Sequence, residues 1–228
     1  MKALIFDLFY TLINPRRSAL MKENEYDILR LSMEEFEGRN IAGYGTFAAS
    51  LMDPYEEIAE MLKDYNFDSS LLRRAADARM NRIRGSLSDS EAGIDKKNIS
   101  LLQEFRRNGI KTCLVSNADS MDIRYWDESP LSRCFDTVIF SCHEGFLKPD
   151  LRIYRLALER LGLEAEDCLY CGDGGHRELN GARLAGMKTV LSTEYISDLW
   201  PEKIPHLTED ADYVIRDLRE IRPLVYGL

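Results

Sequence analysis

The segment Ala3–Phe6, four apolar residues followed at once by Asp7, constrains the fold more than any other stretch of this chain. Four residues are too few for a helix of ordinary length, and the run lacks the polar alternation of a half-exposed strand. It fits a central strand buried on both faces, as in parallel sheets covered by helices. Asp7 then stands where the strand runs out. Open α/β sheets bind their ligands at the carboxyl ends of parallel strands. Asp7, with Thr11 four residues on, is therefore a nucleophile, a metal ligand or a polar strand end.

The same signature returns later in the chain. Apolar runs over Ile110–Val115, Thr137–Phe140, Cys168–Cys171, Lys188–Leu191 and Tyr213–Ile215 read as further strands. Helical spacing lies between them. Leu101, Leu102 and Phe105 mark one helix stopped by Gly109, and Tyr154, Ala157, Leu158 and Leu161 mark another stopped by Gly162. Leu179 and Ala182 mark a third that ends near Gly186. Strands alternating with helices predict an α/β fold with a parallel sheet and right-handed crossovers.

Residues 14–94 break this rhythm, because no segment there reads as a strand. Ser32–Glu35 and Asp53–Glu56 have capping-box spacing, and Pro54 takes the favoured first helical position. Tyr55, Ile58 and Leu62 follow at helical spacing, and Leu72–Ile83 reads as another amphipathic helix. Residues 38–47 read as a glycine-bearing loop. The expectation is a small helical domain over residues 14–94, inserted into a sheet domain made of residues 1–13 and 95–228.

A formal net charge of −9 over 228 residues disfavours nucleic acid and anionic membrane surfaces as partners. No apolar run approaches the roughly 18 residues that span a bilayer. Asp7 interrupts the only early apolar segment, so no secretory signal is read and a cytoplasmic protein is expected. Five cysteines argue against a disulfide framework. Cys168 and Cys171 are spaced as CxxC, but within a strand they point to opposite faces and read as packed core thiols. The cluster Arg73, Arg74, Arg79, Arg82 and Arg84 reads as a solvated helix face, with an arginine facing an anionic substrate as the alternative for one or two of them.

Four strand ends carry useful chemistry: Asp7, Ser116 with Asn117, the Lys148-Pro149 loop, and Asp173 with Glu178 close behind. On one parallel sheet these ends share an edge. Asp7, Asp173 and Glu178 supply the hard oxygens that magnesium prefers. Lys148 can balance a phosphoryl charge, and Ser116 can hydrogen-bond its oxygens. A carboxylate nucleophile would split one difficult displacement into two easier ones.

Asp7–Thr11 (DLFYT), Val115–Asn117 (VSN), Lys148-Pro149 and Gly172–Glu178 (GDGGHRE) resemble the four ordered motifs of the haloacid dehalogenase superfamily. The resemblance implies a Rossmann-like core, with the helical insert as a mobile cap, and a magnesium-dependent phosphatase acting on a small phosphorylated molecule. It assigns Asp7 as nucleophile, Ser116 as phosphoryl binder, with Asn117 beside it, and Lys148 as charge stabiliser. Asp173, Glu178 and the backbone carbonyl of Phe9 join Asp7 as the metal site. Glu178 stands where many members have Asp.

Two positions depart from the pattern. Phe9 replaces the Asp that serves most phosphatases of the superfamily as general acid and base, help worth about 10²–10⁴-fold. Tyr10 replaces the usual glycine. Dehalogenases of the superfamily also lack that Asp, so a 2-haloacid dehalogenase is the alternative reading, and a catalytically silent binding protein the third. His176 reads as a surface residue at a helix start. Arg16, Arg17, Arg39 and Tyr44 are candidates for facing the site.

Overall fold

Residues Ala3–Phe6 form β1, and all four are completely buried because the strand lies at the centre of a sheet. The computed structural model describes residues 1–18, 23–90 and 93–227, without the side chains of residues 33, 37, 40–42 and 44. β2 (Lys111–Ser116), β3 (Thr137–Phe140), β4 (Cys168–Gly172), β5 (Lys188–Ser192) and β6 (Tyr213–Ile215) complete one six-stranded sheet in the order β3-β2-β1-β4-β5-β6. Every pairing is parallel. Successive strands run outward from β1 on one side and from β4 on the other. The point of reversal lies between β1 and β4, where such sheets open a crevice for ligands. Phe6 pairs with Leu114 of β2 and Cys171 of β4, so the register sets Asp7 beside the ends of both neighbours.

Strand alternation divides the core into two layers. Leu4 and Phe6 pack with Leu101 and Phe105 of α5, while Ala3 and Ile5 pack with Tyr154 and Ala157 on the opposite face. Here α5 spans Lys96–Arg107, and Tyr154 and Ala157 lie on the helix Leu151–Leu161. Cys168 and Cys171 fall in opposite layers, as the spacing predicts, and all five cysteines are buried and free. The second strand begins and ends one residue later than expected, which makes Ser116 its last residue rather than the start of the loop.

The insert is helical, with α1 (Glu25–Leu29), α2 (Met33–Phe47), α3 (Pro54–Met61) and α4 (Ser69–Ser86). The four share a third apolar cluster that includes Leu29, Phe47, Ile58, Leu62 and Met80, together with Met121 from beyond β2. The Ser32 hydroxyl accepts from Glu35 N at 3.1 Å, and Asp53 accepts from Tyr55 N and Glu56 N. The loop expected at residues 38–47 is instead the body of α2. Its glycines cost helix stability, about 0.5–1 kcal/mol each relative to Ala, yet the buried Phe36 and Phe47 anchor the helix to the cluster. Among the described residues no helix is long and apolar enough to cross a membrane.

The arginine cluster is only partly solvated. Arg73, Arg74 and Arg84 are exposed, but Arg79 keeps only 5% of its surface. Its Nη2 donates to Asp119 Oδ2 at 2.5 Å and to Asp122 Oδ1 at 2.9 Å, tying α4 to the loop after β2. A buried charge is tolerable only with partners, and these two carboxylates supply them. Glu57 of α3 joins the group, accepting from Ser120 N at 3.3 Å. Burial first, and then the charge of Asp119, pushes the Glu57 carboxyl up to about 9. The folded chain therefore holds a proton that the unfolded chain has released, between the ordinary carboxylate range and about pH 9. Stability contributed here falls as pH rises through that window. Glu57→Gln should flatten the pH dependence and raise the urea midpoint at alkaline pH. An unchanged slope between about pH 5 and pH 9 would contradict the assignment.

Candidate active site

Asp7 is held from three directions. Its backbone N donates to Cys171 O at 2.9 Å, Oδ2 accepts from Thr11 Oγ1 at 3.1 Å, and Oδ1 accepts from Lys148 Nζ at 2.5 Å. Thr11 reaches back because the chain turns sharply after Asp7, with Leu12 N and Ile13 N both donating to Leu8 O. Tyr10 adopts φ 57° in this turn, the left-handed region that favours glycine. Its ring meets Trp200 edge-on with centroids 4.9 Å apart, a contact that offsets the backbone cost.

Lys148 lies in the turn after β3 and is 2% exposed. Asn117 positions it: its Oδ1 accepts from Lys148 N at 2.7 Å and its Nδ2 donates to Lys148 O at 3.0 Å. The ammonium bridges Asp7 Oδ1 and Glu178 Oε2, the latter at 2.6 Å. Burial alone would lower the Lys148 pKa, but the charges of Asp7 and Glu178 outweigh it and hold the side chain cationic.

Asp173 and Glu178 follow β4. Gly174 takes φ 84° and its N donates to Glu178 Oε1 at 3.0 Å, while Gly175 N donates to Asp173 Oδ1 at 2.8 Å. The Glu178 carboxylate lies so close to Gly172 that a Cβ there would collide with it, which explains a glycine at the end of β4. Asp7, Asp173 and Glu178 each offer a carboxylate oxygen, all within 4.8 Å of one another. Burial, offset by Lys148 and reinforced by Glu178, pushes Asp7 up to about 6. Desolvation and then the charges of Glu178 and Asp7 raise Asp173 well above the usual carboxylate range. Three hard carboxylates against one ammonium fit a small divalent cation, whose charge would relieve this repulsion.

These groups line the floor of a cavity of about 720 Å³, roofed by α1, α2 and α4. Asp7, Phe9, Asn117, Lys148, Asp173 and Glu178 all border it, so the structure brings together six of the seven expected site residues. Ser116 is the exception. It is fully buried, its hydroxyl donates to the Asn117 carbonyl at 3.4 Å, and it does not border the cavity. Arg16 and His176 do border it. Arg17 and Arg39 are paired on the surface with Asp198 and Asp64, and the Tyr44 side chain lies outside the described residues.

Sequence reasoning missed Tyr170. Its hydroxyl donates to Glu178 Oε2 at 2.7 Å and accepts from Lys148 Nζ at 3.2 Å. The available signal was a tyrosine in a fully buried strand, since a buried phenol nearly always has a partner. Tyr170→Phe should lower stability by about 1.5–3 kcal/mol, the worth of a hydrogen bond to a charged group. Urea unfolding measures it, and a loss indistinguishable from zero would contradict this role.

A family model for haloacid dehalogenase-like hydrolases matches residues 1–186. The chain belongs to the haloacid dehalogenase-like hydrolase family. It is 31% identical over 135 residues to a glyceraldehyde 3-phosphate phosphatase of Methanocaldococcus jannaschii, covering 57% of this chain and 55% of that one. It is 31% identical over 123 residues to a phosphoserine phosphatase of Thermus thermophilus, covering 54% of this chain and 47% of that one. The chain thus spans about half the length of these two curated relatives. The L-2-haloacid dehalogenase of Xanthobacter autotrophicus shares the fold, with a TM-score of 0.68, 18% identity and coverage of 100% of this chain and 99% of that one. The Rossmann-like α/β core is therefore that of the haloacid dehalogenase-like hydrolases, whose fold alone does not separate phosphatase from dehalogenase.

Proposed function

We propose that this haloacid dehalogenase-like hydrolase is a magnesium-dependent phosphatase of small phosphorylated metabolites, with Asp7 as nucleophile. The observation that carries the reading is the floor of the cavity, where Asp7, Asp173 and Glu178 converge around one ammonium, that of Lys148. A dehalogenase substrate brings one carboxylate and needs no excess of acidic groups. A phosphoryl group with its cation matches this floor in both charge and hardness. The two phosphatase relatives favour the same reading.

In this reading an Asp7 oxygen attacks phosphorus and the ester oxygen leaves, giving an aspartyl-phosphate that water then hydrolyses. Thr11 fixes the carboxylate orientation, and Lys148 balances charge as it moves onto the phosphoryl oxygens. Asp7, Asp173 and the Phe9 carbonyl would hold magnesium, which when bound neutralises phosphoryl oxygens. Glu178 already accepts from Lys148, Tyr170 and Gly174, so its main part is to position Lys148. Ser116 sets the turn that presents Asn117 rather than touching substrate. Residues 14–94 act as a cap over the core formed by residues 1–13 and 95–228.

Phe9 borders the cavity and cannot move a proton. His176 borders it too, but desolvation and the charge of Lys148 lower its pKa, which makes it a proton acceptor near neutrality. Leaving-group quality should therefore dominate the rate. Phosphate release from p-nitrophenyl phosphate and acetyl phosphate should exceed that from simple alkyl esters by at least about 10²-fold, and Phe9→Asp should narrow the gap. All release should stop with chelator and return with magnesium. Absence of magnesium-dependent release from every ester would overturn the proposal.

A further inference from the structure

Aromatic side chains border the cavity from both sides. Phe9 and Tyr10, in the turn after β1, and Trp200, in the segment after β5, border it from the core. Tyr26 of α1 and Phe36 of α2 border it from the roof, with their ring centroids 6.5 Å apart. Phe36 is buried, but Phe9, Tyr10, Tyr26 and Trp200 each keep part of their surface exposed. Apolar atoms make up most of the wall that the cavity presents. Rings pack favourably against other rings, edge-on or offset, beyond what their buried area alone supplies.

A second observation concerns how the ester oxygen departs. Phe9 follows Asp7 by two residues and offers no proton. Lys148 is held in its cationic form between Asp7 and Glu178, and the lowered pKa of His176 makes it an acceptor near neutrality. A leaving group that needs no proton suits such a site. A phenol ionises near about pH 10, as tyrosine does, far below an alkanol, because its anion spreads charge into the ring.

We infer that the site takes aryl phosphate monoesters, with the ring of the leaving phenol packed among Phe9, Tyr10 and Tyr26. This rests on the phosphatase reading and names the substrate class for it. As the bond from an Asp7 oxygen to phosphorus forms, the bond from phosphorus to the phenolic oxygen breaks. Its electron pair stays on the phenolate, which takes its proton from solvent. The cavity, at about 720 Å³, has room for a ring beyond the phosphoryl group. Its mouth is cationic, with Arg16 Cζ and Lys203 Nζ lying 5.1 and 4.6 Å from the Trp200 ring centroid. An aliphatic ester with a carboxylate is therefore the rival occupant.

The test separates the ring from leaving-group acidity. Phenyl phosphate is compared with hexafluoroisopropyl phosphate, whose alcohol is about as acidic as phenol but carries no ring, and with phosphoglycolate as the rival. The intact protein should show kcat/KM at least about fivefold higher for phenyl phosphate than for either of the others. In Tyr26→Leu, which keeps apolar bulk but removes a ring, the ratio of phenyl to hexafluoroisopropyl phosphate should fall at least about twofold. The wild-type comparison stands even if that variant fails to fold. Equal turnover of the acidity-matched pair, preference for phosphoglycolate, or an unchanged ratio in folded Tyr26→Leu overturns the inference. Magnesium-dependent release from p-nitrophenyl phosphate in that case shows that the phosphatase reading survives. If no ester releases phosphate, calorimetric binding of phenylphosphonate against cyclohexylphosphonate to the intact protein with magnesium decides whether the walls select a ring. Tighter binding of phenylphosphonate supports that selection, and equal affinities overturn it.

Discussion

Asp7→Asn should lower kcat for p-nitrophenyl phosphate by at least about 10³-fold, with the chain still folded. The substitution removes the nucleophilic carboxylate but keeps its size, and the amide oxygen can still accept from Lys148 or Thr11. Lys148 retains Glu178 as a counter-charge, so no buried ammonium is stranded. Removing one of three crowded carboxylates also relieves repulsion, because Glu178 and burial together hold Asp7 near 6. Thermal stability should therefore stay level or rise while activity is lost. A variant that retains more than about a tenth of wild-type kcat would exclude Asp7 as nucleophile.

Lys148→Met should be the most damaging single change for stability. The side chain is 2% exposed, and its ammonium is the cation shared by Asp7 and Glu178. Methionine fills the space and strands the two carboxylates. Removing one partner of a buried ion pair typically costs about 3–5 kcal/mol. The loss should depend on pH. With Lys148 gone, the folded-state pKa of Asp7, already raised by burial, rises further above its unfolded value. The folded state then binds more protons than the unfolded state across the mildly acidic range, and stability falls as pH rises through it. Urea unfolding should show the variant closest to wild type near about pH 5 and furthest from it above about pH 7. A deficit that does not vary with pH would contradict this account.

The sheet was legible because burial on both faces leaves continuous apolar runs, as in Ala3–Phe6 and Cys168–Cys171. The floor of the site was legible for a related reason. Asp7, Asn117, Lys148 and Asp173 each follow a strand, and a parallel sheet delivers such ends to one edge. Ser116 was misplaced by one residue of register, enough to bury its hydroxyl inside the end of β2. The roof was not legible. Arg79 sits in an exposed-looking run of arginines, and only the carboxylates at Asp119 and Asp122, forty or more positions away in sequence, make it a buried residue. Residues 38–47 read as a loop because glycine signals a turn locally, whereas anchoring by Phe36 and Phe47 is a tertiary effect. Tyr170 was hidden in the same way, its role set by partners on two other segments.

Detection of the covalent intermediate tests the central claim most directly. Rapid acid quench of the protein with p-nitrophenyl phosphate and magnesium, followed by peptide mass analysis, should find one phosphoryl group on the peptide that contains Asp7. The adduct should be absent with chelator and absent from Asp7→Asn. Steady turnover with no adduct on that peptide, or an adduct that persists in Asp7→Asn, would contradict catalysis through an aspartyl-phosphate at Asp7.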